Sequence, residues 1–183
     1  MSRIAVFLAE GFEEIEALTV VDLCRRAGIG TDMVSVTGER SVGGSHGICV
    51  MADKLLAEED FDSLDMIVLP GGMPGTRNLE ACEGLMEQVE LFYRAGKAVS
   101  AICAAPSILG HRGFLKGRNA CSFPDFESHL EGASVSGEPV EVSEHVTTSR
   151  GMGTAIDFGL AIVERYQGKE AADDLARKII YCR

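Results

Sequence analysis

The sequence lacks the segments that typify membrane-spanning and secreted proteins. No apolar run approaches the roughly 20 residues that a helix needs to cross a bilayer. The N-terminal stretch MSRIAVFLAEGFEE turns acidic where a signal peptide would carry small residues and a cleavage site. We therefore expect a cytoplasmic protein with no membrane partner.

Basic residues are also scarce. Lys and Arg number 17 against 28 Asp and Glu, which gives a formal net charge of -11. The basic residues are scattered in ones and twos, and such an acidic surface repels the phosphate backbone of nucleic acids. We therefore expect no nucleic-acid partner.

Patterns typical of metal sites and disulfide frameworks are missing. The cysteines are Cys24, Cys49, Cys82, Cys103, Cys121 and Cys182, and the histidines are His46, His111, His129 and His145. No two cysteines form a Cys-x-x-Cys pair, and the histidines are spread singly, whereas a zinc site needs clustered ligands. We expect reduced thiols and no bound metal, and no residue pattern calls for a cofactor.

The chain does contain apolar strands that alternate with amphipathic helices. The run RIAVFLA at 3–9 is typical of a strand buried on both faces of a parallel sheet, and similar runs occur at 65–72 and 97–103. The stretch 41–53 predicts a short hairpin with glycines in its turn. The 183 residues predict one domain over 1–183, a doubly wound α/β sandwich with a mainly parallel sheet.

The first predicted helix covers EEIEALTVVDLCRRAG. Its expected buried face carries Ile15, Leu18 and Val21, with Ala17 and Cys24 beside them. In doubly wound sheets the ligand site lies beyond the carboxyl ends of the strands. The stretches LAEGFEE, LPGGMPG and SAICAAP hold these strand ends and are the candidates for a site.

The stretch VSAICAAPSILG suits a nucleophile elbow centred on Cys103. Small residues stand two before and two after the cysteine, at Ala101 and Ala105, and Pro106 suits an early helical position. A helix N-terminus favours a thiolate over a thiol. The alternative is a small core cysteine, which an apolar run holds equally well.

Glu16 interrupts the apolar run between Ile15 and Ala17. A carboxyl held at the edge of a buried helix face has a raised pKa and can share a proton with a thiol. The alternative is a solvated acidic face, shared with the neighbouring glutamates, that complements the helix N-terminus.

The PGGMPG turn supplies a third candidate. The backbone N–H groups of Gly71 and Gly72 could form an oxyanion hole facing Cys103, together with the elbow amide of Ala104. The alternative is a turn that simply ends a strand. The turn is not a phosphate loop, because it lacks the Gly-Lys-Ser/Thr ending.

Four segments follow the order and spacing of the DJ-1/PfpI superfamily: LAEGFEEIEALTVVDLCRRAGI, DMIVLPGGMPGTRNL, SAICAAPSIL and TTSRGMGTAIDFGLAIVE. Over residues 3–180 the chain most resembles the DJ-1 and ThiJ-type bacterial branch. The resemblance implies a flavodoxin-like fold, a homodimer and an oxidation-sensitive nucleophile at Cys103. It also implies a protonated glutamate at Glu16 that donates a hydrogen bond to the cysteine, and a pocket at Gly71 and Gly72.

The chain departs from the family pattern at two points. Where many members carry a histidine near the cysteine, the resemblance places Phe123, and we expect His129, six residues on, at the surface. A family arginine near the pocket corresponds to His46. Protease-like relatives carry histidine at the position of Ala104, and amidotransferases need a late His-x-Glu pair that His145 does not begin.

The resemblance implies two alternative functions. One is a cysteine-dependent, cofactor-free glyoxalase or deglycase that acts on 2-oxoaldehydes, or on their early protein adducts, in carbonyl and oxidative stress. The other is a non-enzymatic redox sensor or chaperone whose Cys103 is oxidised to the sulfinate. A reactive thiol serves both, since nucleophilic attack and oxidation both use the thiolate.

Overall fold

A computed structural model describes residues 2–182 and gives a central sheet covered by helices on both faces. The strands are β1 (Arg3–Leu8), β2 (Gly30–Ser35), β3 (Ser41–Gly43), β4 (Cys49–Met51), β5 (Lys54–Leu55), β6 (Met66–Leu69), β7 (Ala98–Ile102), β8 (Asn119–Ala120), β9 (Ser134–Val135), β10 (Val140–Ser143) and β11 (Val146–Ser149). The helices are α1 (Glu14–Arg26), α2 (Gly75–Ala81), α3 (Glu83–Arg94), α4 (Pro106–His111), α5 (Ala155–Gln167) and α6 (Lys169–Lys178).

The seven-stranded sheet has the order β10-β11-β7-β6-β1-β2-β5. All its pairs are parallel except β10 with β11. The inner order β2-β1-β6-β7-β11 is the flavodoxin-like arrangement, whose strand order reverses next to β1. The predicted fold class, a flavodoxin-like sandwich with a mainly parallel sheet, is confirmed, and β3 and β4 form the predicted hairpin.

Alternating residues of the strands fill two separate cores. In β1, Ile4, Val6 and Leu8 belong to the core formed with α1, α5 and α6. Ala5 and Phe7 belong to the opposite core, formed with α2, α3 and α4. Because successive side chains of a strand point to opposite faces, a continuous apolar run is what a doubly covered sheet requires.

The predicted buried face of α1 is wrong for two of its residues. Ile15 is 50% exposed and Leu18 is partly exposed, whereas Ala17, Val21 and Cys24 are buried as expected. At about 100° per residue, Ile15 and Leu18 project away from the face that packs on the sheet and on α5. They line an apolar groove on the surface with Ile48, Ile156 and Ile179.

Tight turns bring three strand ends together. The turn after β6 crosses the start of α1, where Gly72 adopts a φ of 88° and leaves no room for a Cβ atom against the backbone of Phe12 and Glu13. The end of β7 lies beside β6 in the sheet. The residues that follow β1, β6 and β7 therefore converge at the predicted edge. Within residues 2–182, none of the helices combines the length and apolar character that a membrane crossing requires.

Candidate active site

Cys103 occupies a strained backbone position directly after β7. Its φ is 65°, in the left-handed region that non-glycine residues rarely adopt. Its N–H donates to the Ser149 carbonyl at 3.0 Å, and its carbonyl accepts the Phe123 N–H at 2.8 Å. Ala101 and Ala105 are fully buried, so side chains no larger than methyl groups let the turn close.

The exposure of Cys103 differs from that of the core cysteines. Cys24 and Cys121 are fully buried, whereas Cys103 is partly accessible. The Cys121 thiol donates a hydrogen bond to the Thr148 carbonyl at 3.4 Å, so it is held inside the core. A strained, accessible cysteine at the edge of the sheet is positioned for chemistry in a way that a core cysteine is not.

Glu16 points from the first turn of α1 into the same site and is 1% exposed. The Gly71 N–H donates to its Oε2 at 3.0 Å. Burial raises the pKa of Glu16 to about 7, although hydrogen bonds with Cys103 and Gly71 act in the opposite direction. Gly71 is required here, because a Cβ atom would lie 2.6 Å from the Cys103 Cβ and 2.7 Å from Glu16 Oε2.

Burial raises the pKa of Cys103 to about 12, and the charge of Glu16 adds to the effect. Backbone N–H groups of Gly72 and Ala104 face the sulfur and lower the pKa. The helix start alone predicted a thiolate, but desolvation and the neighbouring carboxylate outweigh it. Because the two groups are coupled, the proton that stays after the first has left belongs to the pair, and either the sulfur or the carboxyl can carry it.

The two predicted glycine donors have different partners. The Gly71 amide binds Glu16, so it positions the carboxyl and is not left for a substrate oxygen. The Gly72 amide faces the sulfur together with that of Ala104. Of the three predicted amides, those of Gly72 and Ala104 therefore face the nucleophile, and that of Gly71 binds the carboxyl.

An aromatic residue and a glycine adjoin both Cys103 and Glu16, since a Cβ atom on Gly151 would lie 3.8 Å from Glu16 Oε1. A Cβ atom on Gly151 would lie 3.6 Å from the Phe123 ring and 3.9 Å from Cys103 Sγ. Phe123 is 43% exposed and stands at the mouth of the site. Gly151 is not among the residues predicted from the sequence, although a glycine between a strand and a helix, in TTSRGMGT, is a usable signal.

Neither histidine singled out from the sequence adjoins the sulfur. His129 is exposed and its Nδ1 lies 2.9 Å from Nε2 of His111, which in turn contacts Glu80 at 2.7 Å. His46 lies over the start of α1, with its Nδ1 3.0 Å from Glu14 Oε2. The arrangement at Cys103 is therefore a cysteine and carboxyl pair with flanking amides, suited to attack on a carbonyl carbon.

Comparisons with known proteins identify the family of the chain. The model of the DJ-1/PfpI family matches residues 2–165. Protein DJ-1 homolog A of Arabidopsis thaliana is 36% identical over 172 residues, 92% of this chain. The chain spans 44% of the length of that relative.

Two further matches extend over nearly the full length of both chains. The glutathione-independent glyoxalase DJR-1.2 of Caenorhabditis elegans is 29% identical over 97% of this chain and 95% of its own. The structure of oxidized DJ-1 from Toxoplasma gondii superposes with a TM-score of 0.96 at 34% identity, covering 100% of both chains. The chain belongs to the DJ-1/PfpI family.

Proposed function

We propose that the protein is a cytoplasmic, cofactor-free glyoxalase or deglycase-type enzyme. Its substrates are 2-oxoaldehydes, free or as early adducts on proteins, and it protects against carbonyl and oxidative stress. The observation that carries the proposal is the pairing of Cys103, on a strained elbow, with the fully buried carboxyl of Glu16. The name of the Caenorhabditis elegans relative supports the reaction class.

The first step is attack of Cys103 on the aldehyde carbon, as the thiolate that forms when Glu16 carries the single proton of the pair. A new C–S bond forms, the C=O π bond breaks, and the carbonyl oxygen takes up the negative charge next to the sulfur, where the Gly72 and Ala104 amides can stabilise it. Glu16 gives its proton to this oxygen, which leaves a neutral hemithioacetal and a carboxylate. A pKa near 7 suits Glu16 to both donating and accepting protons at neutral pH.

The second step moves hydrogen between the two substrate carbons. The Glu16 carboxylate removes the proton from the former aldehyde carbon, and the electron pair forms the C=C bond of an enediolate whose negative charge lies on the oxygen of the neighbouring carbon. The hydroxyl proton of the former aldehyde carbon passes to that oxygen, and Glu16 returns its proton to the neighbouring carbon, which gives the thioester that joins Cys103 to a 2-hydroxy acid. One carbon is oxidised and its neighbour is reduced, so the step needs no external oxidant or reductant.

Hydrolysis closes the cycle. Water attacks the thioester carbon and gives one proton to the Glu16 carboxylate, the C–S bond breaks, and Cys103 leaves as the thiolate beside protonated Glu16. The overall change is one 2-oxoaldehyde and one water to one 2-hydroxy acid. For methylglyoxal the product is lactate.

Turnover of methylglyoxal to lactate tests this scheme. We expect Cys103→Ser to reduce the rate to background and Glu16→Gln to lower it by about 10²–10⁴-fold. Cys49→Ser, which removes an exposed thiol on β4, is the matched control and should retain full activity. Full turnover in either site variant would overturn the mechanism.

A second candidate function is redox sensing. It is favoured by the oxidized state of the Toxoplasma gondii relative and by the Gly72 and Ala104 amides, which could bind sulfinate oxygens. Two peroxide molecules would each transfer one oxygen to Cys103 and leave as water. Intact-mass measurement after mild peroxide distinguishes the functions: a two-oxygen gain lost in Cys103→Ser, with negligible methylglyoxal turnover, favours the sensor.

We also propose that the protein is a homodimer. The apolar groove that contains Ile15, Leu18 and Ile48 joins α1 to the β3–β4 hairpin, and Ile15 and Ile48 are 50% and 54% exposed. Burial of such side chains against a second copy would remove apolar surface from water. The resemblance to the family supports the same assembly.

A further inference from the structure

Two carboxylates and an imidazole converge where α1 begins beneath the β3–β4 turn. Glu13 and Glu14 approach from the start of the helix, and His46 approaches from the turn. One ligand atom from each of the three lies within 4.8 Å of the others. We infer that Glu13, Glu14 and His46 bind a divalent transition-metal ion such as Zn²⁺, outside the Cys103 site.

Hydrogen bonds to Glu14 hold the β3–β4 turn over the start of α1 without a bound ion. Glu14 is 3% exposed, and its Oε1 accepts the backbone N–H of His46 at 2.7 Å. Its Oε2 lies 3.0 Å from His46 Nδ1. Gly44 allows this approach, because a Cβ atom there would overlap the Glu14 carboxyl. Two of the three ligands are therefore already held in position by the protein.

The third ligand is a buried oxygen that the protein leaves without a hydrogen-bond partner. Glu13 is 7% exposed, and among residues 2–182 no donor forms a hydrogen bond to its Oε2. This oxygen lies 3.7 Å from His46 Nδ1. Buried polar atoms are nearly always paired, and an unpaired one costs stability. A cation bound between Glu13 and His46 would satisfy it.

The spacing and chemistry of the donors fit a first-row transition metal. Metal bonds of about 2.1 Å to nitrogen and oxygen place tetrahedral ligands about 3.4 Å apart. The measured separations of 3.0 Å and 3.7 Å from His46 Nδ1 bracket this value. One imidazole with two carboxylates suits Zn²⁺ and Co²⁺, and Ser45 Oγ, 3.1 Å from His46 Nδ1, offers another oxygen.

The inference departs from the sequence-based expectation of no metal. That expectation rested on histidines spread singly and cysteines without close pairs. His46 is more than 30 positions from Glu14 along the chain and reaches it only because the hairpin folds back over α1. A spacing rule for zinc motifs does not detect ligands that are assembled in this way.

Equilibrium dialysis of the metal-free protein against Zn²⁺, followed by a Co²⁺ titration read by absorbance, tests the site. We expect one tightly held ion per chain and a cobalt spectrum without sulfur-to-metal charge transfer. Glu13→Gln and His46→Asn should each weaken binding by more than about tenfold, since loss of even an outer-shell partner costs that much. Because the His46 side chain is 72% exposed, its replacement should leave the fold intact, which circular dichroism checks.

Two controls separate this site from other ligands. Cys103→Ser should keep the ion, and so should His129→Asn, which replaces an exposed histidine that contacts His111. The inference is overturned if no ion binds, if binding persists in both Glu13→Gln and His46→Asn, or if Cys103→Ser abolishes it. None of these outcomes depends on methylglyoxal turnover, so the proposed function is tested separately.

Discussion

Glu16 makes the stability of the protein depend on pH. Its pKa is about 7 in the folded protein, against an ordinary value of 4.5. Below pH 4.5 both folded and unfolded chains hold the proton. Between pH 4.5 and 7 the unfolded chain has released the proton while the folded chain still holds it, so the free energy of unfolding falls as the pH rises. Above pH 7 both states have released the proton, and the free energy of unfolding falls no further from this cause.

We therefore expect Glu16→Gln to be more stable than the parent protein at pH 8, by on the order of 3 kcal/mol, and to gain much less at pH 4. Urea denaturation at the two pH values measures the difference. Glu87→Gln, at an exposed position on α3, is the matched control and should change little at either pH. An equal gain at pH 4 and pH 8 would show that the carboxyl charge is not the cause.

The same pair sets the reactivity of Cys103 towards alkylating reagents. Below pH 7 both groups hold their protons. Above it the pair keeps one, and the thiolate becomes populated whenever Glu16 carries that proton. We expect the alkylation rate to rise through about pH 7 in the parent protein.

In Glu16→Gln the rise should move to higher pH, because burial still raises the pKa of the thiol and no carboxyl remains to take its proton. Iodoacetamide labelling followed by peptide mass spectrometry measures each cysteine separately, so that the exposed Cys49 serves as an internal reference. The same profile in both proteins would exclude a shared proton.

At the scale of single residues, the sequence indicated Cys103 and Glu16 but not the residues that contact them. Cys103 stood out because small residues flank it, and Glu16 because it broke an apolar run. Gly71, whose amide binds Glu16, lies 55 residues from it along the chain. Gly151, which lies beside the sulfur, is 48 residues from Cys103. Local patterns carry no information on such contacts.

At the scale of elements, the turn after β6 joins Glu16 to Cys103. A methyl group at Gly71 would lie within 2.7 Å of both side chains. We expect Gly71→Ala to lower stability by about 1–3 kcal/mol through overpacking, and to reduce turnover and cysteine alkylation together. Gly84→Ala is the control, because a Cβ atom there would make an ordinary 3.5 Å contact with Leu56.

Enzyme assays and thermal denaturation of both variants measure these effects. Normal activity in Gly71→Ala would show that the close packing of the turn against the pair is unimportant for chemistry. The loss of turnover should exceed what partial unfolding explains, since the substituted atom touches the reacting pair directly.

The strands and helices were largely predictable, whereas the orientation of α1 was not. Continuous apolar runs identified β1, β6 and β7, because a sheet covered on both faces needs apolar residues at every position. In α1 apolar residues occupy more than one side, so periodicity could not tell the face on the sheet from the face with Ile15 and Leu18. The fold of the hairpin over α1 is a tertiary contact with no local signal.

For the whole molecule, the exposed part of α1 and the hairpin favour association of two chains. Sedimentation velocity at micromolar concentration should show a dimer, and Ile15→Glu or Ile48→Glu should convert it to monomers, because a buried carboxylate opposes closure of an apolar interface. Leu91→Glu is the matched control. Leu91 is 57% exposed on α3, the helix that packs on the opposite face of the sheet, and its replacement should leave the dimer intact. A monomeric parent protein, or a dimer that survives both isoleucine substitutions, would exclude this surface as the interface.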